Sequence, residues 1–325
     1  MRTYRKFSTI GQTISLNMGG VTPISVQFPL GNLYQVIWLK IHLALVLGTG
    51  TTPITEGEYG IVRNILLKTT DGISINACGR MLKKDANMFY GLAPDADPIS
   101  AASGDYYISI PLVFVNQDLL RPDDTGLDTS RYKSLDLYIT MGTITDLLGV
   151  PGTATVTADC EVSVIQSPIP VTHHAKPTVY PVILQTPPFD PNVVQYIDIE
   201  RASDLALTSI LLFVTNTATA GVPATGTASD TTLANLQLRD NYGDIVEPTS
   251  FRQIKMVNML ERLLPTAVTG CRLLHLPQDK SIFSAYPTGN KSLLRLQWTN
   301  GILSSSQVTA LYKGFRTLKV ATGRG

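Results

Sequence analysis

The stretch "NLQLRDNYGDIVEPTSFRQIKMVNM", residues 235–259, repeats in outline an earlier stretch, "NILLKTTDGISINACGRMLKKDANM", residues 64–88. The matched residues keep one interval of 171 positions, which is the distance between Asn64 and Asn235. The other pairs at this interval are Leu67 and Leu238, Lys68 and Arg239, Gly72 and Gly243, Lys84 and Lys255, Asn87 and Asn258, and Met88 and Met259. A chain of 325 residues therefore carries one pattern twice.

Three shorter matches follow in the same order. They are "ISIP" (108–111) with "LHLP" (274–277), "KSLDLYITMG" (133–142) with "KSLLRLQWTNG" (291–301), and "VTA" (156–158) with "VTA" (308–310). The interval falls steadily from 171, which is what two copies of one fold give when the second has shorter loops. Solenoid repeats have units of roughly 20–50 residues. The pattern therefore predicts a duplicated domain rather than a solenoid.

The composition favours strands, turns and an uncharged surface. Charged residues make up 16% of the chain, against roughly 25% in ordinary soluble proteins. There are 25 glycines and 20 prolines. Such a surface suits burial against neighbouring molecules, although a plain neutral β-protein would have the same composition.

Strand patterns dominate both halves. Many runs are rich in β-branched and aromatic residues and end at Gly, Pro or Asp. Examples are "YQVIWLKIHLALVL", "DYYISIPLVFV" and "TATVTADCEVSVI" in the first half, and "LALTSILLFV" and "LLRLQWTN" in the second. Because long polar loops separate them, the runs favour β-sandwiches over βαβ units.

One short helix is predicted at the same place in each half. In "SFRQIKMVNMLERLL", Ser250 is the expected N-cap, and the positions expected to share a core-facing side are Phe251, Ile254, Val257, Leu260 and Leu264. In "GRMLKKDANMFY" the corresponding side holds Met81, Asp85, Met88 and Phe89. Such a stripe could bind a partner, but more often it is core, and we expect core here.

Seven of the twenty prolines lie between Pro168 and Pro191. Because proline fixes φ and favours extended backbone, we expect a stiff linker over about 168–191. The predicted domains are residues 1–170 and 171–325.

The charge is uneven along the chain. The net charge is +1, yet the two ends carry seven basic residues and no acidic ones: Arg2, Arg5, Lys6, Lys313, Arg316, Lys319 and Arg324. Basic ends on an acidic body predict contact with an anionic surface such as lipid headgroups or nucleic acid. Frayed, solvated ends are the alternative. The N-terminus lacks the apolar segment of a secretory signal, and no run is long and apolar enough to span a bilayer.

The usual signatures of catalysis are missing from the sequence. There is no nucleophile elbow, phosphate loop or dinucleotide fingerprint, and the four histidines form no metal-ligand set. The three cysteines predict buried, reduced thiols. Asp123, Asp124 and Asp128 form an acidic turn that is a weak option for a structural calcium ion, with solvated carboxylates as the better interpretation. We predict no catalytic residues and no cofactor.

Two tandem sandwiches with basic ends resemble the double jelly-roll major capsid proteins of tailless icosahedral viruses, many of which contain a membrane. "FPLGNLYQVIWLKI" (28–41) is similar to the opening strand, Gly turn and strand of the corticovirus type, and "TTDGISINACGRML" (69–82) to its turn and strand before a helix. Similar coat proteins occur in lipid-containing single-stranded DNA phages and in bacterial proviruses. The resemblance covers both halves and rests on structural motifs.

The resemblance implies an all-β fold of two eight-stranded jelly rolls, each with a short helix. It implies a homotrimer with a six-sided outline that tiles a virion shell and is assembled in the host cytoplasm. The implied partners are further copies, minor capsid, vertex or membrane proteins, and a lipid membrane or the genome at the basic ends. The loops at 91–105 and 215–232 would face outward or between capsomers.

Two other functions stay open at this point. A double jelly-roll glycan-acting hydrolase would need two opposed carboxylates in a cleft, often beside tryptophan, and only Trp38 and Trp298 are available. A carbohydrate-binding module would usually carry a secretory signal.

Overall fold

A computed structural model describes residues 6–19, 22–49, 52–54, 56–91, 99, 102–115, 125–169, 179–216, 226–262, 268–276, 285–300 and 306–317. The elements of the first half are β1 (Lys6–Leu16), β2 (Ile24–Gln27), β3 (Leu33–Val46), α1 (Gly57–Gly60), β4 (Val62–Thr69), β5 (Gly72–Ala77), α2 (Gly79–Tyr90), β6 (Gly104–Val113), β7 (Leu127–Asp128), β8 (Leu135–Met141) and β9 (Thr155–Ser167). Those of the second half are β10 (Val179–Gln185), β11 (Tyr196–Asp198), β12 (Leu205–Asn216), β13 (Thr227–Ala228), β14 (Leu233–Asp240), β15 (Gly243–Ser250), α3 (Phe251–Arg262), β16 (Cys271–His275), β17 (Tyr286–Pro287), β18 (Leu294–Asn300) and β19 (Ser306–Thr317).

The two halves have the same strand order. In the first half β1, β9, β3 and β6 form one sheet, here called sheet 1, and β5, β4, β8 and β2 lie opposite it. In the second half β10, β19, β12 and β16 repeat the first order, and β15, β14, β18 and β11 repeat the second. The predicted fold is confirmed: the chain is two tandem eight-stranded jelly rolls, each with a helix between its fifth and sixth strands.

The β4–β5 and β14–β15 hairpins explain why the sequence pattern is repeated. Thr69 Oγ1 accepts hydrogen bonds from the backbone N–H groups of Asp71 and Gly72 at the β4–β5 turn. Asp240 Oδ1 does the same for Tyr242 and Gly243 at the β14–β15 turn. Gly72 and Gly243 have φ of 153° and 149°, values that favour glycine over residues with a Cβ. The sequence repeat thus includes the turn residues on which each hairpin depends.

The core lies between the two sheets of each half. Alternate residues of β3 point inward and are buried, while Trp38, Lys40 and His42 point outward. In the second half Trp298 of β18 is fully buried, so the two tryptophans have different environments.

Two segments differ from the sequence-based expectation. Lys6, treated as part of a basic end, is the first residue of strand β1, which pairs with β9. Val179–Gln185, inside the predicted linker, is strand β10, which lies between β19 and β5. The predicted domain boundary at 170/171 falls on residues outside the described ranges and stays a prediction. Among the described residues, no helix is long and apolar enough to cross a bilayer.

Candidate functional site at the junction of the two jelly rolls

The two jelly rolls share a sheet. Strand β10 of the second half pairs in parallel with β5 of the first, through Ile183 with Ile75 and Leu184 with Asn76. Side chains reinforce this short pairing: Ser74 Oγ donates to the carbonyl oxygen of Pro181 at 2.7 Å, and Gln185 Oε1 accepts from Cys78 N–H at 2.8 Å. One ten-stranded sheet therefore runs through both halves and fixes their relative position.

Helix α2 is the second connection between the halves. Lys313 Nζ, on the last strand of the second half, donates to Asp85 Oδ2 at 2.9 Å and to Tyr90 Oη at 3.3 Å. The same ammonium lies 4.3 Å from the ring centre of Phe89. Burial disfavours the charged ammonium, but Asp85 and Tyr90 outweigh this, so the pKa of Lys313 is raised and the group stays charged.

The start of α2 carries a buried ionic cluster. Glu56 has φ of 58° and its carboxylate accepts from Arg80 Nε at 3.0 Å and from Lys84 Nζ. Burial alone would raise the pKa of Glu56, but the charges of Lys84 and Arg80 outweigh it and lower the pKa to about 2. Both cations also face the ring of Phe213 in β12, so the cluster joins the halves.

Three of the seven basic residues at the predicted ends are among the described residues: Lys6, Lys313 and Arg316. Arg2, Arg5, Lys319 and Arg324 lie outside the described residues, and Lys6 is exposed at the start of β1. Lys313 is buried in the junction, where its ammonium is paired with Asp85. Arg316 donates to Glu200 Oε1 and lies 3.8 Å from Asp204, so its charge is already compensated.

The weak calcium option receives no support from Asp128. Its carboxylate accepts from Ser130 N–H and Oγ and from Arg131 Nε, so it caps a 3₁₀ turn. Asp123 and Asp124 lie outside the described residues. Across the described ranges no group of three or more His, Cys, Asp or Glu side chains could hold a metal ion. The three cysteines are free and buried, as predicted.

His42 has a specific environment on the outer face of sheet 1. Its Nε2 lies 2.9 Å from Asp105 Oδ1 and its Nδ1 lies 2.9 Å from Asp159 Oδ2. The bonds to Asp159 and Asp105 raise the pKa of His42, because a doubly donating imidazolium suits two carboxylates. Sequence reasoning missed this group, since its members come from three strands that only the sheet brings together.

A cleft of about 740 Å³ lies between the halves, beside the β4–β5 turn. Its acidic side chains are Asp71, Glu200 and Asp204, and Arg316 also lines it. Glu200 accepts from Tyr312 Oη at 2.8 Å as well as from Arg316, so it is held as a structural ion pair. Neither Trp38 nor Trp298 lines this cleft.

Solved structures of viral capsid proteins share this architecture along nearly the whole chain. The crystal structure of the STIV MCP superposes with a TM-score of 0.70 at 15% identity, covering 98% of this chain and 99% of that one. The chain has the double jelly-roll fold of viral major capsid proteins.

Two further structures extend the double jelly-roll likeness to other viruses. The major capsid protein P2 of bacteriophage PM2 gives a TM-score of 0.60 at 9% identity, covering 98% of this chain and 99% of that one. The PBCV-1 virus capsid gives 0.60 at 13% identity, covering 97% and 94%. No protein-family model matches the sequence, and neither does any curated protein. At these identities the likeness concerns the fold.

Proposed function

We propose that this double jelly-roll chain is a viral major capsid protein that self-assembles as homotrimers, each with a six-sided outline, to tile an icosahedral shell. The observation that carries the proposal is the junction: two sandwiches of one topology are held side by side by a shared sheet and by the buried pair of Lys313 and Asp85. Three such chains supply six similar units around one axis. The capsid proteins with the same fold support this role.

The basic ends are proposed to face the inside of the shell, near a membrane or the genome. We infer that Arg2, Arg5, Lys6, Lys319 and Arg324 make this contact, because Lys313 and Arg316 are paired with acidic side chains of the chain itself. Lys6 is exposed where β1 begins, which is compatible with such a contact. Minor capsid, vertex or membrane proteins are proposed as further partners in the virion.

The hydrolase alternative has a specific observation against it. A glycosidase needs one carboxylate that protonates the leaving group and another that attacks or activates water. In the cleft, Arg316 donates to Glu200 and lies 3.8 Å from Asp204, so one cation engages two of the three acidic side chains and leaves only Asp71. We therefore propose a structural, non-enzymatic role.

The mass of the purified protein in solution tests the proposal. Light scattering at micromolar concentration should give about three times the 35.3 kDa of one chain, or a multiple of that trimer. A stable monomer would contradict the proposal, because the proposed function consists of self-assembly.

A further inference from the structure

The helices α2 and α3 occupy equivalent places in the two halves. Each follows the fifth strand, and α2 begins at Gly79 where α3 begins at Phe251. Equivalent helical residues are therefore 172 positions apart, one more than in the preceding hairpin. The sequence matches Lys84 with Lys255, Asn87 with Asn258 and Met88 with Met259 are thus one residue out of register within the helices. The hairpin register supports this alignment: Ile65 pairs with Ala77 in the first half, and Leu236 pairs with Thr249 in the second. Ile65 and Leu236 are 171 positions apart, whereas Ala77 and Thr249 are 172 apart.

The equivalent helices differ in how much they are covered. Four side chains of α2 that contact the second half are buried: those of Arg80, Lys84, Asp85 and Phe89. Tyr90, which also contacts Lys313, is half-buried. The equivalents of the four buried side chains in α3 are Arg252, Met256, Val257 and Glu261, and all four are exposed.

The exposed side of α3 is apolar in its middle. Met256, Val257 and Leu260 have 63%, 47% and 77% of their surface exposed. Ser250 caps the helix as predicted, since its Oγ accepts from Gln253 N–H. Of the predicted core positions, Phe251 and Ile254 are buried, Val257 and Leu260 are wrong, and Leu264 lies outside the described residues. Asn258 takes the inward position instead, bonding the backbone of Leu273 in β16. The side chains of Met256, Val257 and Leu260, here called the helix stripe, thus face away from the second jelly roll.

The strands that α2 contacts, β12 and β19, have equivalents in the first half, β3 and β9, whose outer face is not covered in this way. In the second half, Leu207–Thr215 of β12 and Ser306–Phe315 of β19 are buried throughout, and α2 contacts these strands at Phe213 and Lys313. The equivalent strands β3 and β9 of sheet 1 alternate between buried and accessible residues. Phe213 pairs with Thr309 in the second half, and Ala44 pairs with Thr157 in the first half. Ala44 is therefore the equivalent of Phe213. Glu161, four residues after Thr157, is likewise the equivalent of Lys313, four residues after Thr309.

We propose that α3 of one copy packs on the outer face of sheet 1 of a second copy, in the way that α2 packs on β12 and β19 within the chain. This inference rests on the proposed function and specifies which surfaces meet in the trimer. The contact is head-to-tail, so each copy offers one helix and one sheet face, and three copies close a ring. Six similar helix–sheet contacts then surround the axis, three within chains and three between them.

Charge at one end of the two surfaces, and an apolar contact at the other, support this arrangement. By analogy with Arg80 over Phe213, Arg252 would lie above Ala44, beside the carboxylates of Asp105 and Asp159. By the same analogy, Glu261 would take the place of Phe89 near Glu161, which pairs with Lys40 across β3 and β9, and Leu260 would lie toward Trp38. The basic end of the helix thus meets the acidic end of the sheet, and Leu260 meets the half-buried Trp38.

Two variants on different surfaces test the contact. Val257→Glu with Leu260→Glu alters the helix stripe, and Trp38→Glu alters the sheet face. The control is Val193→Glu, at a residue that is 79% exposed and belongs to neither surface. Light scattering of each full-length variant gives its mass, and circular dichroism with thermal melting checks its fold. If the double glutamate variant fails to fold, Leu260→Ser replaces it.

We expect each surface variant alone to be a folded monomer, while the control keeps the mass of the parent protein. Mixing the two surface variants should give a one-to-one dimer, because one intact helix and one intact sheet face remain between them. A surface variant that keeps the parent's mass, or a mixture that stays monomeric, would overturn the inference and leave the proposed function standing. A monomeric parent protein would instead contradict the proposed function itself.

Discussion

Lys313 and Asp85 lie 228 positions apart in the sequence, and their charged groups meet at 2.9 Å inside the junction of the two jelly rolls. The pair joins the last strand of the second half to the helix of the first. Since both side chains are buried, the pair couples the stability of the two halves.

Removing one partner of this pair should destabilise the whole chain. We expect Asp85→Ala to lower the free energy of unfolding by about 3–5 kcal/mol, because an unpaired ammonium is left buried. Asp198→Ala, which removes the exposed pair with Arg295, is the matched control and should cost less than about 1 kcal/mol. Equilibrium denaturation in urea measures both variants.

The double variant Asp85→Leu with Lys313→Met replaces the buried ion pair by apolar side chains. It tests whether the stability lost in Asp85→Ala comes from the unpaired charge or from lost packing. Because no charge is then stranded, we expect this double variant to regain most of the stability lost in Asp85→Ala. Equal losses for Asp85→Ala and Asp198→Ala would show that the buried pair has no special role.

Glu56 makes the stability of the junction depend on pH. Its pKa is about 2 in the folded chain against 4.5 ordinarily, so its contribution is fully present above pH 4.5 and is lost as pH falls toward 2. That shift corresponds to a stabilisation on the order of 3 kcal/mol. Denaturation of Glu56→Gln and the parent protein should therefore differ at pH 7 and converge near pH 2. A difference that does not change with pH would contradict the assignment.

Gly314 marks a position where two strands approach too closely for a side chain. A Cβ there would lie 2.1 Å from the carbonyl oxygen of Ala206 and 3.0 Å from Leu207 Cα, and neither backbone atom can move freely. We expect Gly314→Ala to lower the melting temperature strongly or to prevent folding. Gly104→Ala is the control, since its Cβ would meet only Tyr106 Cε2, at 3.9 Å. Similar melting temperatures for the two variants would refute the close approach.

The proposed inner-face contact can be tested without disturbing β1 or β19. We expect Arg2→Gln with Arg5→Gln to weaken binding to anionic vesicles at low salt by roughly thirtyfold, from about 1 kcal/mol per basic residue. Lys68→Gln with Lys133→Gln, at exposed positions elsewhere, is the matched control. Co-sedimentation with anionic and neutral vesicles measures the effect, and equal binding by both double variants would exclude the N-terminal contact.

The duplication and the fold class could be predicted because they depend on local chemistry. The turns at Gly72 and Gly243 require particular residues, and the Ser250 cap is a short-range signal. The exposed side of α3 could not be predicted, since the same spacing of apolar residues suits a core or an interface. The burial of Lys313 was also hidden, because its partner Asp85 belongs to the other half of the chain.

Negative-stain electron microscopy of the purified protein tests the central claim most directly. The predicted result is a particle with threefold symmetry and a six-sided outline, in which each chain supplies two adjacent lobes. Single two-lobed particles at micromolar concentration, or rings whose symmetry is not threefold, would contradict it.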